Sequence, residues 1–469
     1  MFRNKYNKET HVHFIGIGGI GMSGIAHVLL SLGYQVSGSD LVKGSTVLEL
    51  EKLGAEIYIG HKEENISGAT VVVYSSAVRQ DNPEMVSAKE KGIPVIKRAE
   101  MLSELMRLKY GVAVAGSHGK TTTTSFLATM LHEAGMDPTH IIGGIVENLG
   151  GHANLGKGDF LVVEADESDG TFLLLTPVLS VITNIDNDHL DFYEHEENLL
   201  DAFVNFSNKV PFYGCCAINI HDANILKIRE KIKRPTVTFG IGEICDEKID
   251  YMAKEVSHSG HNSEFNLYFK DKFIGLVSIC LPGKHNVLNA LGAIALSHQM
   301  EVPFDKIILG IKKFKGVYRR FEKIYSDNIV TIIDDYAHHP TEIQSTLEAL
   351  REITKDNITV IFEPHRFSRT KKCWEDFFHC FNAANKVYMA PIYAASESEL
   401  HGINTERLVS DINKIHPGLV ECMDELDNLY DFLNDIIKSR GGTIITLGAG
   451  SIGRKIRQAV AKLRDRGLD

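Results

Sequence analysis

Few folds accommodate a strand, a glycine turn and a helix start in immediate succession, and this chain has all three around position 116. Val112-Ala113-Val114-Ala115 is a short apolar run of the kind that forms a buried strand. Gly116-Ser117-His118-Gly119-Lys120-Thr121-Thr122 follows, and residues 123–133 read as a helix. Such a turn gathers backbone N–H groups around one point, where the helix dipole also favours negative charge. Lys120 adds a cation there, and Thr121 a hydroxyl able to ligate Mg²⁺ beside phosphates. Together the seven residues form a candidate cradle for a nucleoside triphosphate. The general pattern G-x-x-x-x-G-K-[ST] asks for glycine at position 114, where this chain has Val114, so the loop is a short form.

With 469 residues the chain is too long for one ordinary core and suggests two to four domains. Its hydrophobic fraction of 43% and charged fraction of 24% are those of a globular protein. A net charge of −11 and the absence of any Lys/Arg block argue against nucleic acid as a partner. The seven cysteines include no C-x-x-C pair, which fits a reduced, cytoplasmic protein. Residues 1–10 are polar and do not resemble a secretory signal, and no apolar stretch approaches the length of a membrane span, so membrane insertion is not expected.

Residues 1–108 read as repeated β-α units: strands at 11–15, 35–39, 56–58 and 70–74, helices at 20–32 and 83–91. The central segment, 109–316, begins at the phosphate loop and adds strands at 160–164 and 178–183 and a helix at 196–208. From 248 to 280 polar and apolar residues alternate between turn-like breaks, which predicts antiparallel hairpins on one edge; helices at 284–299 and 303–313 close the segment. After the connector around Gly316, β-α alternation resumes over 317–469, with strands at 329–333, 358–362, 386–389 and 443–447 and helices at 341–350 and 370–382. The expectation is an α/β protein of three domains. A Rossmann-like domain comes first, a P-loop-type ATPase domain with an antiparallel edge second, and another Rossmann-like domain last.

Several further clusters fall on strand ends. Gly16-Ile17-Gly18-Gly19-Ile20-Gly21 matches G-x-G-x-x-G, and Asp40 ends the next strand about 20 residues on, as a ribose-binding carboxylate would. Alone this suggests a dinucleotide, yet the turn requires only a diphosphate, and a nucleotide sugar fits equally well. A second match, Gly448 to Gly453, has no acidic partner after it and reads as a close-packed turn. Glu164-Ala165-Asp166-Glu167-Ser168-Asp169 crowds four acids behind a strand, a costly arrangement unless a cation such as Mg²⁺ compensates; Glu164, nearest the strand, is the candidate ligand. His189, among the acids of Asn184-Ile185-Asp186-Asn187-Asp188-His189-Leu190-Asp191, suits a general base, a second metal ligand or a surface residue. At the start of the 284–299 helix, the side chains of Asn286 and Asn289 would suit an adenine edge, or Asn286 simply caps the helix. Asp334-Asp335-Tyr336-Ala337-His338-His339-Pro340 and Pro364-His365-Arg366-Phe367-Ser368-Arg369 gather two arginines and three histidines into a candidate carboxylate site.

Taken in order, these motifs resemble the Mur ligases, ATP-dependent amide-forming enzymes of peptidoglycan synthesis. The resemblance runs through G-I-G-G-I-G-M, G-S-H-G-K-T-T, E-A-D-E-S-D, T-N-I-D-N-D-H-L-D, P-G-K-H-N-V-L-N-A, R-R-F-E, D-D-Y-A-H-H-P-T-E-I and P-H-R-F-S-R-T. Ser117 stands where threonine is common, and the hydroxyl is kept. The branch most closely resembled joins L-alanine to UDP-N-acetylmuramate; the nearest alternative branch joins a whole tripeptide to the same sugar nucleotide. The resemblance implies that Gly16, Gly18, Gly19, Ile20, Gly21 and Met22 hold the UDP diphosphate, with Asp40, His61, Ser75 and Ser76 nearby. It implies that Lys120 bridges the β- and γ-phosphates of ATP, that Thr121 and Glu164 hold one Mg²⁺, and that His189 with Glu164 holds a second. His285, Asn286, Asn289 and Asp335 would add ATP contacts, and Arg319 would reach the γ-phosphate when the third domain closes. Tyr336, His338, His365, Arg366 and Arg369 would orient the alanine and the lactyl group. The same resemblance is compatible with a monomer or a homodimer. A nicotinamide-dependent oxidoreductase would leave Lys120, Glu164 and His189 without a task, and a non-catalytic nucleotide switch would need no amino-acid site.

Overall fold

The computed structural model describes residues 9–75, 77–243, 248–395, 397–439 and 441–466. Three sheets organise them. The first has five parallel strands, β1 (His11–Ile15), β2 (Gln35–Asp40), β3 (Glu56–Ile59), β4 (Val71–Tyr74) and β5 (Val95–Lys97), in the order β3-β2-β1-β4-β5. The order reverses between β1 and β4, which opens a crevice at the carboxyl ends of those strands. Helix α1 (Ile20–Ser31) starts there, directly after the first glycine turn.

The second sheet has ten strands. They are β6 (Tyr110–Ala115), β7 (Thr139–Val146), β8 (Gly151–Asn154), β9 (Phe160–Glu164), β10 (Leu179–Ile182), β11 (Cys215–Asn219), β12 (Thr236–Ile241), β13 (Tyr251–Ser259), β14 (Asn262–Phe269) and β15 (Lys272–Ile279). Their order is β15-β14-β13-β12-β11-β10-β6-β9-β7-β8. The middle is parallel and buried on both faces: Val112, Ala113, Val114, Val162, Val163, Val181 and Ile182 are all fully buried, as an apolar run rather than an alternating one requires. Two residues join β13 to β14 and two join β14 to β15, which forces antiparallel hairpins and gives the expected edge. The other edge, β7 paired antiparallel with β8, carries Gly143 and Gly144 in its interior, and these weaken its strand pattern in the sequence. Helix α2 (Lys120–Glu133) follows β6 and helix α3 (Lys284–Gln299) follows β15.

The third sheet consists of β16 (Glu322–Ser326), β17 (Val330–Asp335), β18 (Ile358–Phe362), β19 (Lys386–Met389), β20 (Val420–Cys422) and β21 (Gly442–Leu447), ordered β16-β17-β21-β18-β19-β20. Only β16 runs antiparallel to its neighbour. Helices α4 (Pro340–Ile353) and α5 (Phe367–Lys372) begin behind β17 and β18, and α6 (Ile452–Arg466) behind β21. The helix expected over 370–382 is not continuous. It starts earlier and stops at Lys372, and a short 3₁₀ turn, Asp376–Phe378, follows. Phe377 and Phe381 both pack on Phe362 of β18, with ring centroids 5.6 and 5.5 Å away, and that packing outweighs helical propensity.

By compactness the chain forms two units. One holds the first two sheets and runs to Val256, with Glu264–Ile279 and Val287–Lys315; the other holds Ser257–Ser263, Cys280–Asn286 and all from Gly316 on. In the first unit Met22, Ile25 and Val28 of α1 share one large apolar core with Ile141 of β7 and Ala153 of β8, and smaller clusters form around Ile15 and Val72 and around Ile220 and Met252. The second unit has its own, built on Ile332, Ile361, Ile444, Ile452 and Ile456. Cys215 and Cys216 are buried in β11 without a disulfide, and burial pushes their thiols up to about 12 and about 11. Among the described residues, no helix is long and apolar enough to cross a membrane.

Candidate active site

In the first unit the phosphate loop emerges from β6 between β9 and β10, and residues behind all three strands converge on it. Gly116 has φ 134°, and a Cβ there would lie 2.0 Å from Thr183 Oγ1, so only glycine lets the loop press against the end of β10. The loop is clamped from that side. Asn184 accepts from Ser117 N (3.0 Å) through its carbonyl and from His118 N (2.9 Å) through its side chain, while Thr183 Oγ1 donates to the His118 carbonyl at 2.6 Å. His118 Nε2 also meets Asp186 at 3.0 Å. Gly119, at φ 80°, is the N-cap of α2 and brings no side chain to close the helix's first N–H groups. A Cβ on Gly119 would lie 2.3 Å from Asn289 Oδ1, so this residue of α3 lies directly against the loop.

Lys120 Nζ donates to the carbonyls of Gly116 (2.6 Å) and Ser117 (3.1 Å) and to both carboxylate oxygens of Glu167 (2.9 and 2.8 Å). Burial works against its charge, but Glu167, Asp166 and Glu164 outweigh it and keep Lys120 protonated. Burial raises Glu167 to about 7 in spite of the lysine. Thr121 Oγ1 donates to Glu164 Oε2 at 3.1 Å, and Gly143 N of β7 holds Oε1 at 2.5 Å. His189, with φ 56°, turns its Nε2 to Asp188 (3.4 Å) and Glu167 (3.9 Å). The hydroxyl and carboxylate of Thr121 and Glu164 are hard oxygen donors of the kind Mg²⁺ takes, and the donor set fits that ion. Arg98 pairs with Asp166 at 2.9 Å, which with Lys120 holds that carboxyl below its ordinary value although burial opposes it.

The other glycine turn lies in the same unit. Gly18 N donates to Asp40 Oδ2 at 2.8 Å, and Thr46 Oγ1 closes the Gly18 carbonyl at 2.7 Å. Ser75 flanks Gly16, and Arg98 flanks Gly21 so closely that a Cβ there would lie 2.8 Å from its Nη1. Arg98 thus touches both the first glycine turn and the acidic loop. Ile20 is partly exposed, whereas the Met22 side chain is buried in the core. Ser76 lies outside the described residues.

In the second unit Tyr336, His338, His365 and Arg369 come together behind β17 and β18. His338 meets Tyr336 and His365 edge-on, at 5.4 and 5.8 Å between centroids. Glu342 reaches back from α4 to the N–H groups of His338 (3.1 Å) and His339 (3.3 Å) and fixes this turn. Arg369 donates to His365 Nδ1 at 3.2 Å, and His365 stacks on Tyr393. Burial drives His338 down to about 4 and His365 to about 3, the latter helped by His338, Arg369 and Arg366. Arg366, at φ 70°, is exposed. Arg319 is tied inward, to Asp334 at 3.1 Å and the Gly448 carbonyl at 2.5 Å. Asp335 accepts from Phe321 N (2.6 Å) and Ala337 N (2.8 Å), and burial raises it to about 6. Asn286 donates to the Pro282 carbonyl at 2.7 Å, and burial lowers neighbouring His285 to about 4. The turn from Gly448 to Gly453 is close-packed as expected: Glu363 fills the N-terminus of α6, accepting from Ser451 Oγ (2.7 Å) and Ile452 N (2.9 Å).

Three family models cover most of the chain: the catalytic domain of the Mur ligase family over residues 11–110, the Mur ligase middle domain over 114–297, and the Mur ligase glutamate ligase domain over 319–450. The chain belongs to the Mur ligase family. This Mur ligase is 48% identical to the UDP-N-acetylmuramate–L-alanine ligase of Trichlorobacter lovleyi, covering 98% of this chain and 100% of that one. It is 46% identical to the enzyme of the same name from Geotalea daltonii, over 98% and 99% of the two chains. Among solved structures it is similar to the UDP-N-acetylmuramate-alanine ligase of Thermotoga maritima, with a TM-score of 0.82 at 29% identity, over 97% of this chain and 100% of that one. The three-domain α/β architecture expected from the motifs is that of the Mur ligase family.

Two residues of the candidate site are not legible in the sequence. Glu167 is one of four acids in its segment, and nothing local marks it as the buried counter-ion of Lys120. The available signal was that a lysine enclosed by a loop needs a partner charge. Arg98 stands alone in its segment, and no local pattern marks it.

Proposed function

We propose that this Mur ligase joins L-alanine to the lactyl carboxylate of UDP-N-acetylmuramate, consuming ATP and releasing ADP and phosphate, and so adds the first amino acid to the peptidoglycan precursor. One observation carries the chemistry: in one unit, Lys120 stands on a phosphate loop beside the paired Thr121 and Glu164, and a second glycine turn lies in the same unit. The full-length likeness to alanine ligases supports the choice of substrates.

Two anions must meet in the first step, so positioning and neutralisation supply most of the catalysis. The glycine turn at Gly16, Gly18, Gly19, Ile20 and Gly21, with the Met22 backbone, receives the diphosphate; Asp40, His61, Ser75 and Ser76 complete that pocket. The loop from Gly116 to Thr122 receives the triphosphate, and Lys120 exchanges Glu167 for the β- and γ-phosphates. Thr121, Glu164 and His189 would hold Mg²⁺, which when bound supplies positive charge beside the phosphates. His285, Asn286, Asn289 and Asp335 serve the nucleotide. Arg319 gives up Asp334 and Gly448 to stabilise the γ-phosphoryl group. A lactyl oxygen attacks the γ-phosphorus, ADP departs, and the carboxyl becomes an acyl phosphate. The alanine amine, oriented with its carboxylate by Tyr336, His338, His365, Arg366 and Arg369, then attacks the carbonyl carbon; phosphate leaves and the amide forms. The reaction belongs in the cytoplasm, where ATP and sugar nucleotides are available.

The test is ADP release with each component omitted in turn. Turnover should require ATP, Mg²⁺, UDP-N-acetylmuramate and L-alanine together. Turnover with a tripeptide but not with L-alanine would reassign the chain to the other branch.

A further inference from the structure

Glu84, in the helix Pro83–Glu90, belongs to none of the motifs above, yet it is fully buried behind the first sheet. Its Oε1 accepts from Asn65 Nδ2 at 2.6 Å and from Lys62 N at 3.3 Å. Its Oε2 accepts from Ser39 Oγ at 2.6 Å and faces His13 Nε2 at 3.4 Å and His61 Nδ1 at 3.6 Å. Burial would raise this carboxyl, but the bonds from His13, Ser39 and Asn65 outweigh burial and hold it below its ordinary value. It is therefore ionised at neutral pH, and a carboxylate only accepts.

The consequence runs outward along the chain of hydrogen bonds. Ser39 has one hydroxyl proton, and Glu84 takes it. Ser39 Oγ also lies 3.0 Å from His61 Nδ1, so the hydrogen of that contact must come from the ring. Both neighbours of Nδ1 are then acceptors. A neutral imidazole with hydrogen on Nδ1 has its lone pair on Nε2. The His61 side chain is 19% exposed, and the residue lies just beyond β3. Outward from the glycine turn, the strand ends offer the turn itself on β1, Asp40 on β2 and His61 past β3. That sequence suits diphosphate, ribose and base in turn.

We propose that Glu84, acting through Ser39, locks His61 in the Nδ1–H tautomer so that Nε2 accepts the N3–H of uracil and rejects cytosine, whose N3 carries a lone pair. Glu84 is on this account a positioning residue, and the assignment rests on the sugar-nucleotide reading of the first glycine turn. In Glu84→Gln the amide donates to Ser39, the Ser39 proton turns to His61 Nδ1, and the ring hydrogen moves to Nε2.

The experiment uses the full chain. Histidine ¹⁵N spectra at pH 8, assigned with His61→Gln, report the tautomer, and calorimetry compares UDP with CDP. In the wild type His61 should be Nδ1–H, and UDP should bind at least roughly tenfold tighter than CDP. Glu84→Gln should shift His61 toward Nε2–H, shrink that ratio to about threefold or less, and raise KM for the sugar nucleotide while KM for ATP moves less than about twofold. Should Glu84→Gln fail to fold, Ser39→Ala removes the middle of the relay; Glu84 Oε2, 3.6 Å from Nδ1, then holds the ring more weakly, and the ratio should fall in the same direction by a smaller factor. An Nε2–H tautomer in the wild type overturns the proposal, as does a UDP preference unchanged in the variants. No UDP binding by the wild type would overturn the sugar-nucleotide reading along with it; UDP binding without the tautomer effect overturns only the role of Glu84.

Discussion

At the scale of single residues, the site is a set of charges held in place by other charges. Lys120 is enclosed by two carbonyls and Glu167, so its ammonium is already aimed at the loop before any phosphate arrives. Replacing it with alanine should lower kcat by at least roughly 10²–10³, as losing one preorganised charge donor does. Steady-state rates of ADP release measure this, and full activity in Lys120→Ala would remove the residue from the mechanism. Arg319 presents a different case, because its guanidinium is tied to Asp334 and Gly448 and lies 5.2 Å over the Tyr336 ring. Arg319→Ala should slow turnover while UDP-N-acetylmuramate binding stays nearly intact. A large loss of that binding would assign the arginine to another task.

At the scale of elements, two short segments do work that their own sequences do not announce. Strand β7 brings Gly143 so close to Glu164 that a Cβ would lie 2.8 Å from Oε2. Gly143→Ala should therefore push the carboxylate away from Thr121, raise the Mg²⁺ concentration needed for half-maximal rate, and lower kcat by about 10-fold or more. An unchanged Mg²⁺ titration would show that Glu164 does not depend on this contact. The start of α6 is plugged by Glu363, which accepts two hydrogen bonds where an anion would otherwise sit. Removing the plug with Glu363→Ala should cost about 0.5–2 kcal/mol, like the loss of a helix cap, and denaturant unfolding can read it.

For the whole molecule, the buried histidines set the response to acid. His140, His285 and His338 are lowered to about 4 and His365 to about 3, each chiefly by burial. An unfolded histidine takes up a proton near its ordinary value of 6.5, so between roughly pH 4.5 and 6 the unfolded chain binds more protons at these four positions than the folded one. Stability is then lost as pH falls through that window. Glu167, raised to about 7, Asp335, raised to about 6, and Asp222 and Glu363, also raised by burial, act in the opposite sense, but burial lowers His27, His152, His221, His261 and His298 as well, and the histidines outnumber the carboxyls. The net slope should be positive, about 1.4 kcal/mol per pH unit for each net proton. Urea unfolding followed across the window checks the sign, and His140→Gln should flatten the slope by up to one proton's share. A slope of zero or below in the wild type would contradict the burial of these rings.

The two glycine turns, the phosphate loop, the acids behind β9 and the Tyr-His-Arg clusters were all legible in the chain, because each is a local pattern whose chemistry follows from neighbours in sequence. So were the parallel strands of the middle sheet, whose apolar runs leave little alternative. Strand β7, broken by two glycines, was not, and neither were the partners of the charges. Glu167 on Lys120, Arg98 on Asp166, Glu363 on α6 and Glu84 beneath His61 are pairings across long stretches of chain. Sequence alone thus determined which groups are candidates for this protein's chemistry. Only the tertiary structure decided which carboxylate answers which cation, because desolvation prices a buried charge by what packs around it and not by what precedes it in the chain.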